Sequence, residues 1–175
     1  KKSLRFPRLE KLTLGSTGLW ETKAKIQAAS SLRHFAQKVL VISDLELAQA
    51  AAFAGGPGLI VVAGTGSAAF GRAAGLSARA GGWGPLLGDD GSAFWVGREA
   101  LRDPALRKLM GVNDPLRFAR KDNPVRSVAR LASRLFALAE KNARARALRR
   151  RAAQALAKTA AEAGGKLPFP NQIPI

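Results

Sequence analysis

Two short β-branched runs constrain this chain more than any other feature. Val39 to Ser43 (VLVIS) and Leu59 to Ala63 (LIVVA) are too short for membrane spans and too continuous for surface strands. Such runs suit strands buried on both faces of an α/β sheet. Each one ends directly in polar or glycine-rich residues: Asp44 after the first, Gly64-Thr65-Gly66-Ser67 after the second. Open α/β sheets place their ligands just beyond the carboxyl ends of strands, so these two junctions are the first places to look for chemistry.

The flanking pattern predicts alternation of strand and helix. A strand is expected over 11–15 and an amphipathic helix over 20–38, with Ile26, Ala29, Leu32, Phe35 and Ala36 at helical spacing. A helix over 45–54 is stopped by Gly55, Gly56 and Pro57. Returning strands follow at 68–72 and 76–80, then a glycine-rich loop over 81–91. The remainder reads as helix, over 92–110, 123–140 and 143–162. The fold class is therefore α/β with a C-terminal α-helical region. The expected organisation is residues 1–56, the remainder of a first lobe; 57–115, the start of a second lobe carrying the loops; and 116–175, its helical region.

Composition excludes several classes. The 175 residues include no cysteine, which removes structural disulfides and cysteine metal sites. The most apolar stretch, Leu45 to Gly64, is interrupted by Glu46, Gln49, Gly55, Gly56 and Pro57, whereas a membrane span needs about 20 nearly uncharged residues. No secretory signal is visible, and a cytoplasmic location is expected. The single histidine, His34, has no partner at metal-ligand spacing and reads as a surface residue. The identity of any metal ligands stays unknown.

The net charge of +17 calls for an anionic partner or a solvated basic surface. Its distribution favours the latter. Residues 40–70 hold no Lys or Arg, while Arg117 to Arg151 is dense in Arg. Arg126, Arg130 and Arg134 form one stripe, with Val128, Leu131, Leu135 and Leu138 opposite. Aromatic residues for base stacking are missing from the stripe, so nucleic acid is a less favoured partner.

Each junction has a chemical and a plain reading. Asp44 suits a carboxylate that takes a proton from a sugar hydroxyl, and it equally suits a helix N-cap. The Gly64-Thr65-Gly66-Ser67 turn suits close approach of N–H groups to phosphates, or an ordinary hairpin; it lacks the Lys of a Walker A loop. In Gly81 to Ser92 (GGWGPLLGDDGS), Gly82, Trp83 and Gly84 suit a ligand lined by main chain. Asp89 suits two neighbouring sugar hydroxyls. Trp83 is also a candidate for core packing, and Asp90 and Ser92 for a helix start.

Taken in order, VISDLELAQAAAF, GLIVVAGTGSAAFGR and ARAGGWGPLLGDDGSAFWVGREAL resemble the N-acetylglucosamine kinase and BadF-type ATPase family. LTLGSTGLW at 12–20 adds to the match, which covers 11–101 well and the later helices loosely. The resemblance implies part of an actin-like ATPase (ribonuclease H-like) fold and an ATP-dependent sugar kinase acting on N-acetylglucosamine or a related hexose. It implies Asp44 as catalytic base, Gly64, Thr65 and Gly66 at the phosphates of ATP, and magnesium as cofactor. Ser67, Gly82, Trp83, Gly84 and Asp89 would line the sugar site. The family usually carries Glu where Asp90 stands, and often a polar residue where Ala68 stands. It opens with an Asp-Gly-Gly-Gly-Thr-type hairpin that nothing before Lys11 resembles. It continues into an adenosine-contacting strand, to whose approach the closing NQIPI is similar. A homodimer is compatible with these features. The alternative is a non-catalytic basic subunit derived from this fold and bound to RNA or another acidic partner.

Overall fold

The computed structural model describes residues 7–169, so the closing NQIPI lies outside the described residues. The chain divides into two compact units, Lys1–Gly56 and Pro57–Ile175. No helix among the described residues is long and apolar enough to cross a membrane.

In the first unit, β1 (Leu9–Ser16) and β2 (Ala36–Ser43) pair in parallel, with Leu9 opposite Ala36 and Ser16 opposite Ser43. Helix α1 (Thr22–Leu32) connects them, and α2 (Asp44–Ala52) follows β2 without a loop. The helix expected over 20–38 is thus six residues shorter at its C-terminal end. Ala36, Gln37 and Lys38 go to β2 instead, because parallel pairing with β1 supplies them with backbone partners. The apolar spacing from Ile26 to Ala36 therefore does not make one buried face. Ile26 is exposed, Phe35 sits in the turn, and Ala36 is fully buried in the strand. His34 is exposed beside Phe35. Helix α2 approaches β1 closely at Gly15, where an added Cβ would lie 2.5 Å from Leu47 Cδ2.

The second unit opens with an antiparallel meander of β3 (Gly58–Ala63), β4 (Ser67–Ala73) and β5 (Leu76–Gly81). The long helix α8 (Ala143–Gly164) packs on this sheet. Leu59, Ala69 and Ala80 from the strands bury against Ala163 from the helix. Small residues let the two layers approach: at Gly71 a Cβ would meet Leu167 and Leu59 at 2.9 Å.

Five shorter helices complete the unit: α3 (Ala93–Arg102), α4 (Pro104–Leu109), α5 (Leu116–Ala119), α6 (Pro124–Ala129) and α7 (Leu131–Leu138). The helix expected over 92–110 is two helices. Pro104 disfavours helical backbone at the residue before it, and Asp103 accordingly lies at φ −86°, ψ 113°. Asp103 ends α3 and caps α4, accepting from the N–H groups of Ala105 and Leu106 at 2.9 and 3.2 Å. Burial alone would raise its carboxyl pKa. Those two bonds and Arg144 of α8, 3.3 Å away, outweigh burial and hold it below the ordinary Asp range. In α6 and α7, Arg126, Arg130 and Arg134 are exposed while Val128, Leu131 and Leu135 are buried. At the α3–α6 crossing, Gly97 leaves no space for a Cβ against the Val128 carbonyl.

Candidate functional site

Asp44 is exposed at the end of β2, the first residue of α2. It is not the cap that its spacing suggested. Ser43 is the N-cap: its hydroxyl accepts from the Glu46 N–H at 3.1 Å, and the Ser43 N–H donates to Glu46 Oε2 at 2.7 Å. This reciprocal pair satisfies two groups that a helix start leaves open. Among the described residues Asp44 Oδ1 accepts only from the neighbouring Leu45 N–H, at 2.9 Å. The carboxylate is thereby steadied without being consumed by the helix.

Glu46 also receives Lys25 of α1 at 2.6 Å, which ties the two helices of the unit together. Burial pushes the Glu46 pKa up, but the bonds from Lys25 and Ser43 prevail and the net shift is downward. A carboxyl whose pKa falls on folding stabilises the fold above its unfolded pKa and loses that contribution as pH drops through the folded value. Glu46 and Asp103 should therefore support stability fully above about pH 4.5 and withdraw it below. Ser43→Ala should cost about 1 kcal/mol, measured by denaturant unfolding at pH 7. Lowering the pH through the folded-state pKa of Glu46 should shrink that difference, because its protonation weakens the other half of the box.

In the second unit two loops meet. The Gly64-Thr65-Gly66 turn between β3 and β4 points its carbonyls at the start of α3: Ala93 N–H donates to Gly64 O at 2.9 Å and Phe94 N–H to Thr65 O at 3.3 Å. The N–H groups that open α3 are thus used inside the protein. Those of Thr65 and Gly66 meet no acceptor among the described residues. Uncommitted on an exposed Thr65 and a partly exposed Gly66, they suit an anion such as phosphate. Ser67, buried, donates its hydroxyl to Asp90 O at 2.8 Å, and Gly82 N–H donates to Ser67 O at 2.9 Å. Ser67 thereby joins the turn to the Gly81–Ser92 loop. Asp90 itself is exposed, while Ser92 caps α3 by accepting from the Trp95 N–H at 3.2 Å.

Asp89 is the most informative residue of this region. It is only 8% exposed, its backbone is left-handed at φ 59°, and its carboxylate lies against the Cα of Gly66. An added Cβ on Gly66 would sit 2.5 Å from Asp89 Oδ2, so glycine is required there for contact rather than for its dihedrals. No donor among the described residues bonds the Asp89 side chain. A buried carboxylate without a donor is costly unless a ligand supplies one.

Trp83, for which core packing was the plain expectation, is 72% exposed. Leu86 and Leu87 beside it are 92% and 83% exposed. Gly82 and Gly84 flank the ring with φ of 69° and 83°, values that side chains rarely adopt. Arg79 of β5, which drew no attention in the sequence, bonds the carbonyls of Gly81 and Gly82 at the loop's stem. Among the described residues no group of three or more His, Asp or Glu side chains could hold a metal. Any magnesium would depend on phosphate and water oxygens with few carboxylates, as that ion commonly does.

Comparison with known proteins bears on the fold and the kind of sequence. No protein-family profile matches the chain. It is 36% identical over 94 residues to the N-acetylmuramic acid/N-acetylglucosamine kinase of Clostridium acetobutylicum, covering 52% of this chain and 31% of that protein. It is 48% identical over 46 residues to the N-acetyl-D-glucosamine kinase of Dictyostelium discoideum, covering 26% of this chain and 14% of that one. The crystal structure of a provisionally named N-acetylglucosamine kinase from Chromobacterium violaceum superposes with a TM-score of 0.75 at 24% identity, over 93% of this chain and 64% of its own. A second, from Porphyromonas gingivalis, gives 0.62 at 22% identity, over 79% and 55%.

The fold is that of an actin-like ATPase, of which these residues form a part. By sequence, the segment is similar to part of these N-acetylglucosamine kinases, and it spans about a third of the length of the Clostridium relative it matches.

Proposed function

We propose that the protein built on this segment transfers the γ-phosphoryl group of ATP to a hydroxyl of N-acetylglucosamine or a related hexose. The observation that carries this reading is Asp89, a buried carboxylate with no donor among the described residues, set against the glycine turn. Two adjacent sugar hydroxyls would supply the missing donors. Trp83 would offer its face to the apolar side of the ring, and the backbone of Gly82 and Gly84 would line the rim. Ser67 would contribute as the brace that keeps the two loops in register.

Bound ATP would supply the phosphoryl group, and magnesium would neutralise the charge that builds up as it transfers. Thr65 and Gly66 would direct their free N–H groups at phosphate oxygens, with Gly64 allowing the close approach. Asp44 would accept the proton of the attacking hydroxyl at the oxygen that the Leu45 N–H does not occupy. The names of the Clostridium and Dictyostelium relatives support the amino-sugar assignment.

A basic, non-catalytic subunit is the weaker reading. Much of the charge in α8 is engaged within the protein: Arg144 pairs with Asp103, Arg149 with Glu140 and Arg151 with Glu99. The Arg126, Arg130 and Arg134 stripe is exposed but has no stacking aromatics, which fits solvated surface.

The test is ADP release coupled to N-acetylglucosamine, with magnesium, in the wild type and in Asp89→Asn. Removing a charged acceptor of two hydroxyl bonds should raise the KM for the sugar roughly 10- to 100-fold and leave that for ATP nearly unchanged. Absence of sugar-dependent ADP release would reject the kinase, and an unaltered sugar KM would remove Asp89 from the site.

A further inference from the structure

The Gly81–Ser92 loop presents an odd combination. Its tip carries three large apolar side chains in solvent, yet a sugar platform must hold still to contribute affinity. A loop of this kind loses binding energy to the cost of ordering it, unless something fixes it beforehand. Glycines at 81, 82 and 84, all at positive φ, give the stem no side chains of its own to restrain it, and past Gly81 its backbone is tied to β4 by the Gly82 N–H to Ser67 O bond.

Arg79 supplies the side-chain restraint. It lies on β5 opposite Phe70 of β4, in a strand that is paired along its length. Its Nε donates to Gly81 O at 3.2 Å and its Nη2 to Gly82 O. Its guanidinium carbon lies 5.8 Å from the centre of the Trp83 ring, within cation–π range. One planar cation thus bonds two consecutive carbonyls of the stem and lies against the ring that follows. At Gly82 an added Cβ would be 2.5 Å from Arg79 Nη2, so the backbone has closed down onto the guanidinium. Arg98 of α3 adds a longer contact to Pro85 O at 3.5 Å, farther along the same loop.

We infer that Arg79 is a positioning residue: it fixes the stem of the Gly81–Ser92 loop and holds the Trp83 ring out as a preorganised sugar platform. The part played by sugar rests on the proposed kinase function; the restraint on Trp83 does not. A lysine cannot replace it, because a point charge on a flexible stem cannot bridge two carbonyls and face a ring at once.

The two parts separate in experiment. Trp20→Phe and Trp95→Phe leave Trp83 as the only tryptophan, and its fluorescence anisotropy reads the ring directly without any ligand. Adding Arg79→Met should lower that anisotropy clearly while thermal unfolding of the protein changes little. Arg79→Lys should restore it only in part. Calorimetric titration with N-acetylglucosamine should then give a dissociation constant about tenfold weaker for Arg79→Met than for the parent, as expected for loss of charged hydrogen bonds at the stem. Unchanged anisotropy in Arg79→Met would overturn the inference, as would full recovery by lysine. If the parent protein binds no N-acetylglucosamine, the kinase reading falls, and the anisotropy still decides whether Arg79 restrains Trp83.

Discussion

Asp44→Asn is expected to lower kcat by about a thousandfold while the protein keeps its fold and its affinity for sugar. The structure makes this substitution unusually clean. The helix that begins at Asp44 is capped by Ser43 and closed by Glu46, so its start does not depend on the Asp44 carboxylate. The bond that Asp44 accepts from the Leu45 N–H can be accepted equally by an Asn oxygen. What the amide cannot do is take a proton from an attacking hydroxyl. Steady-state turnover with N-acetylglucosamine and ATP, beside calorimetric sugar binding and the unfolding midpoint, separates these effects. Near-normal turnover would take Asp44 out of the chemistry. A large loss of stability would mean that the carboxylate supports α2 after all.

Gly97→Ala should be the most destabilising single methyl in the second unit. Gly97 sits inside α3 at ordinary helical backbone, so Ala would be favoured there by intrinsic propensity, by about 1 kcal/mol. The neighbour decides otherwise. The added Cβ would overlap the Val128 carbonyl of α6, a backbone group that cannot rotate aside, with Val128 Cγ1 only 3.0 Å away. Separating the two helices would loosen a core in which Val96, Ala100, Leu131 and Leu135 are buried together. Overpacking of this kind costs about 3 kcal/mol, enough to reverse the propensity gain. Denaturant unfolding gives the value directly. A variant as stable as the parent would show that α3 and α6 can part without loss.

The same contrast recurs across the molecule. Element types were legible from pattern alone, but their burial and lengths were not: Leu40 and Val62 of the β-branched runs are exposed, and the helix expected over 123–140 is split into α6 and α7. Pattern signals are local, because they reflect what each residue does to its own backbone and to neighbours three or four positions away. The break at Asp103 was missed by the expected helix over 92–110, although its cause is local: Pro104 acts on the residue before it. The helix end at Leu32 has a distant cause, because Ala36 to Lys38 are claimed by pairing with a strand some 27 residues earlier.

The candidate site divides along that line. Residue types and their order, from Asp44 through the glycine turn to Gly81–Ser92, already pointed to phosphate and sugar chemistry through their family likeness. Three facts needed the tertiary structure: that Asp89 is buried with no donor among the described residues, that Gly66 makes room for it, and that Arg79 bonds the stem carrying Trp83. The Ser43 cap of α2 is local, since Ser43 and Glu46 stand at capping-box spacing. Sequence determines which groups are available and which backbone each one favours. Burial, vacant hydrogen-bonding capacity and the space beside a glycine depend on residues far apart in the chain, and only packing decides them.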